Sequence, residues 1–119
     1  MILLVDDDTS FFDTAKKALK NHYKDMLLAN NATEALGLLK AISFSLALVD
    51  LDLPDCNGFD LISKMREARP GLPIIAMSGV FSQAVLESAK EFGAIEILSK
   101  PPTEEWVKAV DRLRATALE

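Results

Sequence analysis

Short apolar runs alternate along the chain with segments in which apolar residues recur every three or four positions. The runs are Ile2 to Val5, Met26 to Ala29, Leu46 to Val49, Ile74 to Met77 and Ile95 to Leu98. Continuous apolar stretches of this length predict strands buried on both faces, the second being the weakest. Between them, Phe12, Ala15, Ala18 and Leu19 share one helical stripe, and Ala32, Ala35, Leu36 and Leu39 another. Phe59, Ile62 and Met65 begin a third. Val85, Ala89 and Phe92 mark a helix from Ser82 to Phe92, and Trp106, Val110 and Leu113 line a last one. Polar punctuation falls at the boundaries. Asp8, Thr9 and Ser10 open the first helix, with Asp8 as its cap, and Thr103 caps the last, with Glu104 and Glu105 in its first turn. Asn30-Asn31 breaks the second strand, Leu53-Pro54 to Asn57-Gly58 is a turn, and Gly93 ends the fourth helix.

This is a β–α unit repeated five times, with no Pro/Gly/Ser-rich linker between units. Such alternation predicts an α/β fold, a doubly wound five-stranded parallel sheet with helices on both faces. Right-handed crossovers then bring the carboxyl ends of all strands to one edge, where open α/β sheets bind ligands. The residues delivered to that edge are Asp6 and Asp7, Asp50, Ser78 and Lys100. Because the acids follow the apolar runs, they are expected at the mouth of the sheet and need not be deeply buried.

Composition narrows the chemistry. With 119 residues, half of them hydrophobic, a single domain with an ample core is expected. The net charge of −5 argues against direct nucleic-acid binding by this domain and suits a protein that handles cations. One cysteine, Cys56, excludes an internal disulfide and fits a reducing compartment. No apolar run approaches the roughly 18 to 20 residues of a membrane span, and no basic-then-apolar leader opens the chain. A soluble, cytoplasmic protein without membrane contact is the expectation. The abrupt ends suit a complete small protein or one domain of a longer one.

Three carboxylates brought together repel one another, and a divalent cation removes the conflict. Magnesium takes hard oxygen ligands, usually one or two carboxylates with waters and a phosphate oxygen. One cysteine and one histidine, His22, expected on a helix surface, give no zinc site. A carboxylate nucleophile, a magnesium ion, a lysine and a hydroxyl together suit phosphoryl transfer, which depends on positioning and on neutralising charge at the phosphoryl oxygens.

The segments "ILLVDDD", "LALVDLDLPDCNGFDLI", "PIIAMSG" and "ILSKPP" occur in this order across essentially the whole chain. In sequence and spacing they resemble the receiver domain of two-component response regulators, of the chemotaxis-receiver type. The resemblance implies a flavodoxin-like (βα)5 fold with strand order 2-1-3-4-5, spanning residues 1–119 as one receiver domain, either alone or excised from a longer response regulator or hybrid kinase. It implies that Asp50 accepts a phosphoryl group from a phosphohistidine of a sensor histidine kinase or phosphotransfer protein. Asp7 would bind Mg2+ directly, Asp6 mainly through water, and Asp52 through its backbone carbonyl, with Asp50 completing the metal site. Ser78 and Lys100 would each hold a phosphoryl oxygen, Gly79 would leave room for the donor, and the Lys100–Pro101 bond would be cis. Output would run through the fourth helix, fifth strand and fifth helix, a face that also allows a homodimer, with Asp111, Arg112 and Arg114 as candidate charge partners.

Two positions depart from the family pattern. Ile97 stands three residues before the lysine, where receivers usually carry an aromatic switch residue, and Pro102 stands where an aromatic is common. An isoleucine cannot swing a ring toward Ser78, so a degenerate receiver that only docks partners is the alternative function. A weaker one is an aspartate-nucleophile phosphatase, since "VDLDLP" resembles the Asp-x-Asp opening of haloacid-dehalogenase-type enzymes. Against it, the chain is short and its acidic pair precedes the nucleophile. Asp52 and Asp55 read as turn acids, Cys56 as inert, and Trp106 as packing.

Overall fold

Alternation along the strands sorts the core into two layers. In β1 (Ile2–Val5), Ile2 and Leu4 pack with one group of side chains and Leu3 and Val5 with the other. The same division runs through β3 (Leu46–Asp50), where Leu46 and Leu48 oppose Ala47 and Val49, and β4 (Ile74–Ser78), where Ile75 and Met77 oppose Ile74 and Ala76. Period-two projection is what a twice-covered parallel strand requires. The computed structural model describes residues 1–79 and 82–118, the side chains of Tyr23 and of 115–118 excepted. Glu119, the last residue of the expected domain, lies outside them.

The sheet also includes β2 (Met26–Ala29) and β5 (Glu96–Ser99), in the order β2-β1-β3-β4-β5, with every pairing parallel. The strand order expected from the resemblance is the one observed. Ala15 of α1 (Thr9–Ala18) and Trp106, Ala109 and Val110 of α5 (Glu104–Leu118) fill one layer. The other is filled from α2 (Ala32–Ala41), α3 (Gly58–Ala68) and α4 (Gln83–Phe92). Every residue of β1, β3 and β4 is buried. Full burial of a Leu, Ile or Val side chain contributes about 1.5–3 kcal/mol, enough to offset polar groups held at the strand ends.

Local signals set the helix ends. Asp8 caps α1 by accepting from the amides of Ser10 and Phe11, Ser82 caps α4 through Val85, and Asn31 caps α2 through Glu34. Gly93 follows α4 at φ 122°, a conformation that glycine adopts without a Cβ penalty. The boundaries differ from expectation at three strands. β3 and β4 each run one residue further, so Asp50 and Ser78 are strand residues, because Asp50 pairs with Met77 and Ser78 with Ser99. β5 begins one residue later and leaves Ile95 exposed. His22 is not on a helix surface. It precedes a short 3-10 turn, Tyr23–Asp25, and its ring lies between Asp111 and Arg114 of α5.

The chain runs from β1 outward to β2 and then returns to place β3 on the other side of β1. The carboxyl ends of β1 and β3 therefore flank the point where strand order reverses, where such sheets open a crevice.

Candidate functional site

Asp6 follows β1 and Asp50 ends β3, and their carboxylates are held in the same way. Asp6 Oδ1 accepts from the Asp8 amide at 3.0 Å, and Asp50 Oδ1 accepts from the Asp52 amide at 3.0 Å. Each Oδ2 is turned toward the Lys100 ammonium, at 2.6 Å for Asp6 and 3.2 Å for Asp50. Lys100 arrives there because β5 pairs with β4 up to Ser78–Ser99, and the Lys100 amide then bonds the Ser78 carbonyl at 2.9 Å. Asp7 lies beside them. Carboxylate oxygens of Asp6, Asp7 and Asp50 all fall within 4.8 Å of one another. Ser78 is buried at the end of β4, and the Lys100–Pro101 bond is cis, as expected.

The acids differ in depth. Asp6 is 1% exposed and Asp50 4%, and only Asp7 and Asp52 stand in solvent. Asp7 is exposed, as a position at the mouth predicts, whereas Asp6 and Asp50 are buried: the Asp6 amide bonds the Ala29 carbonyl, and β3 extends through Asp50, paired with Met77, into the loop that leads to α3. That loop is tightly fixed. The Gly58 amide bonds the Leu51 carbonyl, the Leu51 amide bonds the Met77 carbonyl, and Asp52 pairs with Asn57 in an isolated bridge. A Cβ on Gly58 would overlap Leu51 Cα and lie 2.8 Å from the Asp50 and Leu51 carbonyl oxygens, so only glycine lets α3 start this close to β3.

Burial sets the electrostatics. Desolvation raises the Asp50 pKa against the opposing pull of the Asp52 amide and Lys100, with Asp6 adding repulsion. Burial draws the Lys100 ammonium down, but Asp6 and Asp50 outweigh it and the pKa is raised. Buried Asp6 Oδ2 has the Lys100 ammonium at 2.6 Å as its cation, which leaves the remaining charge of the cluster to be met from elsewhere. The Lys100 ammonium pairs with two of the three clustered carboxylates, Asp6 and Asp50, and the donors are all hard oxygens. Among the described residues this set fits a magnesium ion, whereas thiolate and imidazole donors are absent from it.

The structure brings Asp6, Asp7, Asp50, Asp52, Ser78 and Lys100 to one edge, as the sequence indicates. It also adds residues that sequence reasoning missed. Phe11 of α1 places its ring 4.3 Å from the Lys100 ammonium and meets Trp106 edge-on, with centroids 5.7 Å apart. Phe12 was the residue of that pair expected on the buried stripe, yet both are half-buried there. Asp55 is more than a turn acid. Its carboxylate accepts from the amides of Ala32 and Thr33 at 3.0 and 3.3 Å, ties the loop to α2, and has its pKa lowered first by the Ala32 bond. Neither contact has a local sequence signal, since the partners are far apart in the chain. Asp111 and Arg114 turn inward to His22 and Asp25, and Arg112 pairs with Glu96.

Residues 2–111 match the family model of the response regulator receiver domain. The chain belongs to that family. Receivers are signalling domains, whose general function is phosphoryl acceptance, and they bind Mg2+ at an acidic pocket. The photosynthetic apparatus regulatory protein RegA of Cereibacter sphaeroides is 35% identical over 84% of this chain and 54% of its own length. The DNA-binding transcriptional regulator NtrC of Rhizobium meliloti is 33% identical over 84% of this chain and 21% of its own. The chain thus spans about half of one of these relatives and a fifth of the other. Among solved structures, a CheY-like receiver domain protein from Methanospirillum hungatei superposes with a TM-score of 0.87 at 30% identity, covering 98% of this chain and 94% of that one. A response regulator from Burkholderia pseudomallei, solved with a phosphorylated aspartic acid and a calcium ion, gives 0.80 at 29% identity, covering 97% and 71%.

Proposed function

We propose that this receiver takes a phosphoryl group onto Asp50 from a phosphohistidine of a sensor histidine kinase or phosphotransfer protein, with Mg2+ bound, and so alters the α4–β5–α5 face. The observation that carries the reading is the shared environment of Asp50 and Lys100: a buried carboxylate at the end of a central strand, 3.2 Å from the Lys100 ammonium. Magnesium held by Asp6, Asp7, Asp50 and the Asp52 carbonyl would neutralise carboxylates and phosphoryl oxygens together. An Asp50 carboxylate oxygen attacks phosphorus, the P–N bond of the donor breaks, and the imidazole leaves with the bonding pair. Lys100 then turns its ammonium to one phosphoryl oxygen, and the Ser78 hydroxyl donates to another. Among the described residues a Cβ at Gly79 would meet nothing within 4 Å, which supports an open approach for the donor beside Ser78.

The domain assignment follows the same reading: residues 1–119 form one receiver in the cytoplasm, alone or joined to an output domain that supplies any DNA contact. A homodimer would use the α4–β5–α5 face. Ile97 favours a second reading, a docking module without switching. It packs in the core layer lined by α2, α3 and α4, and has no ring to move toward Ser78. Intact-protein mass after incubation with acetyl phosphate and magnesium tests the first reading. The wild-type chain gains one phosphoryl group, and Asp50→Asn or removal of magnesium abolishes the gain. Labelling that persists in Asp50→Asn refutes the acceptor assignment.

A further inference from the structure

We propose that Phe11 is a positioning residue for Lys100, and that it carries the lysine's change of partner to Trp106 and hence to α5. This rests on the reading of Asp50 as phosphoryl acceptor. Around the Lys100 ammonium stand Asp6 at 2.6 Å, Asp50 at 3.2 Å and the face of the Phe11 ring at 4.3 Å. The two carboxylates pull the ammonium toward the β1–β3 crevice, and the ring backs it from α1. A cation over an aromatic face is attracted by the ring quadrupole, and more strongly where water is excluded. Lys100 keeps only 21% of its side chain exposed.

Behind Phe11 stands Trp106. Their rings meet at 67° with centroids 5.7 Å apart, a T-shaped pair with a preferred geometry rather than loose apolar contact. Trp106 is 1% exposed, sits in the first turns of α5, and donates its indole N–H to the Ser99 carbonyl at 2.8 Å, one residue before Lys100. Both ends of the contact are therefore fixed, one by the carboxylates and one by the buried indole. When a phosphoryl oxygen takes the ammonium, the cation leaves its place over the Phe11 face, and the ring and the indole edge against it readjust. The route lies on the α1–α5 side of the sheet, whereas Ile97 packs on the other side. It gives this chain a connection from site to α5 that needs no aromatic residue at position 97. A rival route runs through the same residues: the Trp106–Ser99 hydrogen bond links the indole to the backbone next to Lys100 without Phe11.

Trp106 is the sole tryptophan, so the experiment reads it directly. The full chain with magnesium is titrated with beryllofluoride, following binding by 19F NMR and Trp106 by fluorescence. The wild type is expected to show bound beryllofluoride and a shifted Trp106 emission. Phe11→Leu, which keeps apolar volume but has no ring face, binds beryllofluoride and loses the emission shift. Phe11→Tyr restores it. Should Phe11→Leu fail to fold by circular dichroism, Phe11→Met is read in its place. An unchanged emission in the beryllofluoride-bound wild type, or a full shift in bound Phe11→Leu, overturns the relay. No bound 19F signal in the wild type overturns the acceptor reading itself, and the relay with it.

Discussion

Under the proposed function, Lys100 is one side chain that serves two states. Without a phosphoryl group it is the counter-charge for two buried carboxylates, and without it Asp6 and Asp50 would face each other unneutralised. Lys100→Ala should therefore destabilise the metal-free protein by about 2–3 kcal/mol, below the range for a fully buried pair because the lysine keeps some contact with solvent. Magnesium supplies the missing charge, so most of that loss should return when the ion is added. Urea unfolding in EDTA and in magnesium checks this. A loss that stays the same in both conditions would mean that Lys100 is worth only its packing. Phosphoryl uptake in this variant should be slowed even where stability has returned, since the ammonium that pairs with Asp50 is gone.

At the scale of elements, the loop between β3 and α3 holds the site together through contacts distant in sequence. Asp55 sits at the N-terminus of α2, where a carboxylate satisfies orphan amides and meets the helix dipole. Its pKa is lowered in the folded state, so its stabilising effect is present above the unfolded carboxylate value of about 4 and is lost as pH falls through the folded one. Asp55→Ala should lower Tm at pH 7 and make a shrinking difference as the pH is taken to 3. Equal shifts at both values would assign the loss to packing alone. Gly58→Ala should cost about 1–3 kcal/mol in urea unfolding, because the added Cβ overlaps the Leu51 backbone and α3 must withdraw from the site. These two positions mark where sequence reasoning stops. Asn57-Gly58 reads locally as a turn, and Pro54-Asp55 as part of the same turn. That the glycine touches β3 backbone and the aspartate caps another helix are tertiary facts. Asp8, Gly93 and Thr103 were legible because a cap and the helix it serves are neighbours in the chain. Phe11 was not, because its partner Lys100 is brought to it only by the closed sheet.

The molecule as a whole is acidic, with a net charge of −5, and its most crowded negative charge is placed on purpose at the switch point of the sheet. The strand order and the edge that gathers Asp6, Asp50, Ser78 and Lys100 followed from β–α alternation and the receiver-like motifs. The depth of Asp6 and Asp50 did not, since it depends on how far β3 pairs with β4 and on the packing around the strand ends. Burial gives the cluster a consequence for global stability. The folded chain gathers three carboxylates that the unfolded chain separates, so a divalent ion that binds the gathered set stabilises only the folded state. At a hundredfold excess over its dissociation constant, such an ion adds about 2.7 kcal/mol. Magnesium should raise the wild-type Tm in proportion to the logarithm of its concentration, and the rise should be largely lost in Asp7→Asn, whose exposed carboxylate closes the cluster. Sodium chloride at equal ionic strength is the control. If sodium raised Tm as much, the effect would be screening of an acidic surface. A magnesium effect that sodium does not reproduce, and that Asp7→Asn removes, places the ion among Asp6, Asp7 and Asp50.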